Sequence, residues 1–173
     1  MKYIPSILTI SNFLAGFFAI LVASQSYIFY AVVLILIGML CDCFDGYSAR
    51  RLNSSSTIGK ELDSLADVVT FGVAPMVIHL TVNGLHFWTL VSTVVYLICS
   101  IVRLARFNVS QSGLNYFIGL PVPAAALTTL LIVQILPVFL GGIIIIFLGF
   151  LMVSQIQVRK LGHSKEDVEI EEV

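Results

Sequence analysis

Residues 42–67 read DCFDGYSARRLNSSSTIGKELDSLAD. Their four aspartates, Asp42, Asp45, Asp63 and Asp67, lie in or beside segments apolar enough to cross a membrane. An ionised carboxylate at membrane depth is costly, so such a residue marks a functional site by default. Four of them close together in the chain need a neutralising partner. Oxygen-rich surroundings suit a hard divalent cation, Mg²⁺ or Mn²⁺.

Outward from this stretch the chain is a membrane protein. It is 58% hydrophobic and 11% charged, with a mean hydropathy of +1.02, well outside the range of ordinary soluble domains. Apolar runs occupy residues 4–23, 28–41, 65–80, 85–101, 120–136 and 139–158. A span takes about 20 residues, so the second and third runs suffice only if their helices continue into the aspartate stretch. Lys2 ahead of a long apolar run, without a small-residue cleavage site, predicts a retained first helix. The expected fold is an all-α integral membrane protein with six transmembrane helices. Residues 1–160 form one membrane domain and residues 161–173 a polar, acidic tail.

The basic residues predict the orientation. With six spans, Lys2, Arg50, Arg51, Lys60, Arg103, Arg106, Arg159, Lys160 and Lys165 all fall on one side, and the opposite connections carry none. Short loops rich in Lys and Arg stay in the cytoplasm. Both termini and the aspartates are therefore expected on the cytoplasmic side of a multi-pass protein of the cell membrane.

Depth can be counted without any motif. Measured from Tyr27, Asp42 lies about 22 Å along its helix, and Asp67 lies about 20 Å back from Leu80 at 1.5 Å per residue. The two reach nearly the same level, with Asp45 and Asp63 one turn nearer the cytosol. Such a four-carboxylate cluster fits a pair of metal ions. Arg50, Arg51 and Lys60 offer a salt-bridge network instead, but buried ion pairs seldom repay desolvation, and four acids facing three bases leave charge over. Gly46 and Gly59, lacking side chains, allow close approach of a ligand or tight helix packing.

Other polar positions are fewer. Ser6, Thr9 and Asn12 on the first helix serve either inter-helix hydrogen bonding or a polar wall facing a head-group cavity. Arg103 and Arg106 fit a phosphate or a carboxylate, which Arg binds bidentately. Cys41, Cys43 and Cys99 predict no disulfide framework and read as packing residues. His79 and His86 lie far from the aspartates and carry no expected chemistry. Pro75 predicts a kink in the third helix, and Pro121 and Pro123 predict the start of the fifth.

The spacing Asp42-x2-Asp45-Gly46-x2-Ala49-Arg50-x8-Gly59-x3-Asp63-x3-Asp67 resembles the signature of the CDP-alcohol phosphatidyltransferases at every fixed position. DSLADVVTFGVAP (residues 63–75), RLARFN (103–108) and FIGLPVPAAA (117–126) resemble the phosphatidylserine synthase branch. The resemblance extends over most of the chain and implies the same six-helix core. It implies an enzyme that transfers the phosphatidyl group of a CDP-lipid, CDP-diacylglycerol or archaeal CDP-archaeol, to the hydroxyl of L-serine. The products would be phosphatidylserine and CMP.

Two divalent cations about 4 Å apart, held by Asp42, Asp45, Asp63 and Asp67, would clamp the attacking and leaving oxygens. The resemblance also implies Asp67 as general base, and Gly46, Ala49, Arg50 and Gly59 around the CDP-lipid, with Thr9 and Asn12 as further contacts. Arg103 and Arg106 would bind serine or phosphate, and the protein would be a homodimer.

Two rivals make different demands. Glycerol 3-phosphate or inositol phosphate as acceptor would call for a denser basic pocket than Arg103 and Arg106. A divalent-cation transporter would place acids along a path to the far side, and the sequence has none before Asp42 or between Leu80 and Lys165.

Overall fold

The computed structural model describes residues 4–51, 57–108, 116–154 and 157–159, with side chains for 7–47, 58–108 and 119–154. The acidic tail, 161–173, lies outside the described residues.

Helices dominate because long apolar runs without water must satisfy their own backbone groups. α1 (Ile4–Ser24) and α2 (Ile28–Arg51) form a hairpin, and α2 runs through the first two aspartates as its length required. A third rod follows: α3 (Thr57–Asp67), a π-helical turn (Val68–Val73) and α4 (Ala74–Asn83). It likewise becomes long enough to span only by including Asp63 and Asp67. α5 (Phe87–Arg106) is followed by α6 (Val122–Ile135) and α7 (Val138–Val153).

Four of the six rods are long and apolar enough to cross a membrane. α6 and α7, at 14 and 16 residues, extend about 21 and 24 Å against a hydrocarbon core of about 30 Å. The last apolar run therefore does not form one helix to residue 158. It stops at Val153, and Gln157–Arg159 pair antiparallel with Tyr116–Ile118 as a two-stranded ribbon. The chain is otherwise helical, as the all-α expectation has it, and this short ribbon is the one departure among the described residues. Gly119 makes the ribbon possible: its φ of 75° is open to glycine, and a Cβ there would strike the Met152 carbonyl. The Leu120 N–H then bonds the Leu151 carbonyl at 3.2 Å.

The third rod is the centre of the bundle. Half of its residues are buried, against 22% for α2. α1 packs on one side of it, α6 contacts α4 and the π turn, and α5 pairs with α7 beyond. Small residues let the helices close up: Ala19, Ala23 and Ala31 are wholly buried in the hairpin. Outward positions such as Phe29, Phe44, Leu65, Ile98, Phe147 and Phe150 leave large apolar side chains exposed, as a lipid-facing surface requires. Pro75 lies in the first turn of α4, just after the π turn, while Pro121 caps α6 with Pro123 in its first turn.

Candidate active site

α1 packs against both α2 and α3, whereas α2 and α3 are not closely packed on one another among the described residues. The carboxylates project into the space between them. One carboxylate oxygen each from Asp42, Asp63 and Asp67 lies within 4.8 Å of the other two. These side chains repel one another, and Asp63 Oδ1 is buried without a hydrogen-bond donor among the described residues. Three converging carboxylates, one of them with an orphaned oxygen, fit a divalent cation.

Asp45 is buried and stands apart from that trio. It accepts a hydrogen bond from the Thr9 hydroxyl of α1, yet lies near enough to repel Asp42 and Asp63. One turn further along α1, Asn12 donates from Nδ2 to Asp67 Oδ1 at 3.2 Å. Thr9 and Asn12 thus form inter-helix hydrogen bonds to the acids, one of the two roles their spacing allowed. The side chain of Ser6 lies outside the described residues.

Asn12 is completely buried and is held in turn. Its backbone carbonyl accepts from the Thr70 hydroxyl at 2.9 Å. A Cβ on Gly38 would sit 2.9 Å from Asn12 Oδ1 and 2.8 Å from Thr70 Cγ2, and one on Gly16 would overlap Thr70. Gly16, Gly38 and Thr70 were not apparent as site residues in the sequence. Their signal was small residues on facing membrane helices, which becomes specific only once the helices are paired.

The two arginines separate. Arg103 is buried, its guanidinium 5.6 Å from the Phe107 ring centre and close enough to attract Asp67. Its Nε has no hydrogen-bond partner among the described residues. Arg106 is exposed, and its Nη1 donates to the Val153 carbonyl at the end of α7, 3.1 Å away. Asn108, just beyond α5, accepts from the Ser64 hydroxyl at 3.0 Å and donates to Glu61 at 3.3 Å, tying α5 to α3. Gly46 and Gly59 are half-buried on α2 and α3. Ala49 and Arg50 continue α2, and their side chains lie outside the described residues.

Acids from two antiparallel-running helices thus converge between apolar rods, braced by α1 and faced by the buried Arg103. The chain belongs to the CDP-alcohol phosphatidyltransferase family, whose profile matches residues 2–155. Among its relatives, the CDP-diacylglycerol–serine O-phosphatidyltransferase of Bacillus subtilis is 41% identical over 98% of this chain and 97% of that protein. The enzyme of the same name from Methanocaldococcus jannaschii is 37% identical over 91% of this chain and 74% of its own. An archaetidylserine synthase of Methanothermobacter thermautotrophicus is 35% identical over 72% of this chain and 55% of that protein.

Proposed function

We propose that this enzyme transfers the phosphatidyl group of a CDP-lipid to the hydroxyl of L-serine and releases CMP. The observation that carries the reading is the convergence of Asp42, Asp63 and Asp67 on helices long and apolar enough to span a membrane, in a chain whose relatives are named for transfer to serine. The relatives include a synthase of archaetidylserine, so both ester- and ether-linked CDP-lipids are admissible donors.

In the reaction, the serine oxygen forms a bond to the lipid-bearing phosphorus. The bond from that phosphorus to the bridging oxygen breaks, and CMP departs with the electron pair. Asp67 takes the serine proton, a role supported by its place in the trio and by Asn12, which orients one of its oxygens. Divalent cations, Mg²⁺ or Mn²⁺, bound by Asp42, Asp63 and Asp67, with Asp45 as the expected fourth acid, would neutralise diphosphate charge and acidify the serine hydroxyl.

Arg103, buried near Asp67 with its Nε unpartnered among the described residues, would take the serine carboxylate. Arg106, committed to the end of α7, is left with a bracing role. Gly46, Ala49, Arg50 and Gly59 are the residues we assign to the cytidine diphosphate, on the strength of the spacing of the aspartate signature. The site faces the cytoplasm in our reading, so serine enters from water while the lipid tails stay in the bilayer.

The test is CMP release by purified protein in detergent with a CDP-lipid and Mg²⁺ or Mn²⁺, offering serine, glycerol 3-phosphate and inositol phosphate in turn. Release only with serine is expected. Release with either phosphate-bearing acceptor would move the assignment to another branch of the family.

A further inference from the structure

We propose that Tyr96 is a positioning residue for the carboxylate cluster: from α5 it holds the π turn behind Asp67 in register, and so sets where Asp67 points. The inference rests on reading Asp42, Asp63 and Asp67 as a metal site.

The third rod changes its winding immediately after Asp67. Across Val68–Val73 the backbone is π-helical, and the Ala74 N–H bonds the Val69 carbonyl five residues back. Pro75 follows directly. It has no N–H, so the Phe71 carbonyl four residues earlier loses its α-helical donor. Tyr96 supplies one, its hydroxyl donating to the Phe71 carbonyl at 3.2 Å from a fully buried position. Next to it α5 lies close to the turn, for a Cβ on Gly72 would come 3.4 Å from Ser100 Oγ. On the opposite side Thr70 bonds the Asn12 carbonyl, and Asn12 bonds Asp67. The wide turn is therefore held between α1 and α5.

A π turn accommodates one residue more than the α-helix it interrupts, and such turns concentrate at functional sites. Closing this one would rotate α3 against α4 by about 100° per residue of register. Asp63 and Asp67 would then leave the sector facing Asp42. Without the Tyr96 hydroxyl the buried Phe71 carbonyl loses this donor, and because Pro75 has no N–H to replace it, the turn is released to change its winding. Tyr96 thus acts on the acids through the backbone, touching neither metal nor substrate.

The test measures metal binding directly. Mn²⁺ binding to the intact, purified protein is followed by calorimetry without substrate, for wild type and Tyr96→Phe, with thermal unfolding alongside. Weakening of Mn²⁺ affinity by about tenfold or more is expected, the scale typical of lost outer-shell support, with the unfolding midpoint lowered by only a few degrees.

The double variant Tyr96→Phe/Pro75→Ala returns a backbone N–H to the rod. Its midpoint should recover while Mn²⁺ binding stays weak, because the rod then closes in the wrong register. Wild-type affinity in Tyr96→Phe, or recovery of both quantities in the double variant, would overturn the inference and leave the metal site standing. Failure of the wild type itself to bind Mn²⁺ would overturn the metal reading and this inference with it. Where Tyr96→Phe does not fold, the double variant alone decides: full affinity refutes and weakened affinity supports.

Discussion

Asp67 differs from the other acids in what surrounds it. It accepts from Asn12, feels the attraction of Arg103, and belongs to the trio with Asp42 and Asp63. Asp67→Asn keeps the volume and removes the base, so CMP formation with serine should fall by about 10²- to 10⁴-fold, measured as kcat on protein that keeps its unfolding midpoint. The arginines make a sharper comparison because the sequence treats them alike. Arg103→Ala should raise the KM for serine by tenfold or more, through loss of a charge-assisted contact worth about 1.5–3 kcal/mol. Arg106→Ala should leave that KM unchanged and cost about 1 kcal/mol of stability, through the lost bond to Val153. A serine KM that rises with Arg106→Ala and not with Arg103→Ala would reverse the assignment. What separates them lies 47 residues away at the end of α7, and no local pattern announces it.

At the scale of elements, α1 acts as a bracket. It holds Asp45 through Thr9 and Asp67 through Asn12, and reaches both α2 and the π turn because Gly16 and Gly38 leave room. Gly38→Ala pushes a methyl against Thr70 and Asn12 at once. Such overpacking costs about 1–3 kcal/mol, and because it displaces the Asn12–Asp67 pair, Mn²⁺ affinity should fall with the midpoint. Calorimetry and thermal unfolding on one sample check this. Retained affinity at a lowered midpoint would mean that α1 packs without aligning the acids. Much of this level was legible in the sequence. Counting along two antiparallel helices put Asp42 and Asp67 at one depth, and their carboxylates do converge. The need for about 20 apolar residues predicted that α2 and the third rod would run through the aspartates, which they do. Pro75 marked a break in the third rod. Its form as a π turn depends on hydroxyls that Thr70 and Tyr96 deliver to and from other helices. The ribbon was hidden for a similar reason. Residues 139–153 are apolar or glycine and 154–158 only partly polar, and the close approach of Gly119 to the end of α7 fixes where the helix stops.

For the whole molecule, burial and charge divide along different axes. Apolar side chains cover the outward surface around the bundle, while the basic residues of the described helices gather at one end. Lys60, Arg103 and Arg106 lie at the aspartate end, with Arg50 and Arg51 closing α2 there. The far-end turns, between α1 and α2, α4 and α5, and α6 and α7, contain no Lys or Arg. Positively charged short loops are retained in the cytoplasm, so the acids should open on the cytoplasmic side. Thiol labelling tests this in a variant whose three native cysteines are replaced, since Cys43 is itself exposed. Ser26→Cys, in the first far-end turn, should react with a membrane-impermeant maleimide on intact bacterial cells. Lys60→Cys, exposed beside the aspartates on α3, should react only after the membrane is opened. The reverse pattern would place the acids outside, where intracellular serine could not reach them from water. The proposed acceptor would then have to be abandoned together with the orientation, because the depth of the carboxylates ties the chemistry to one aqueous side.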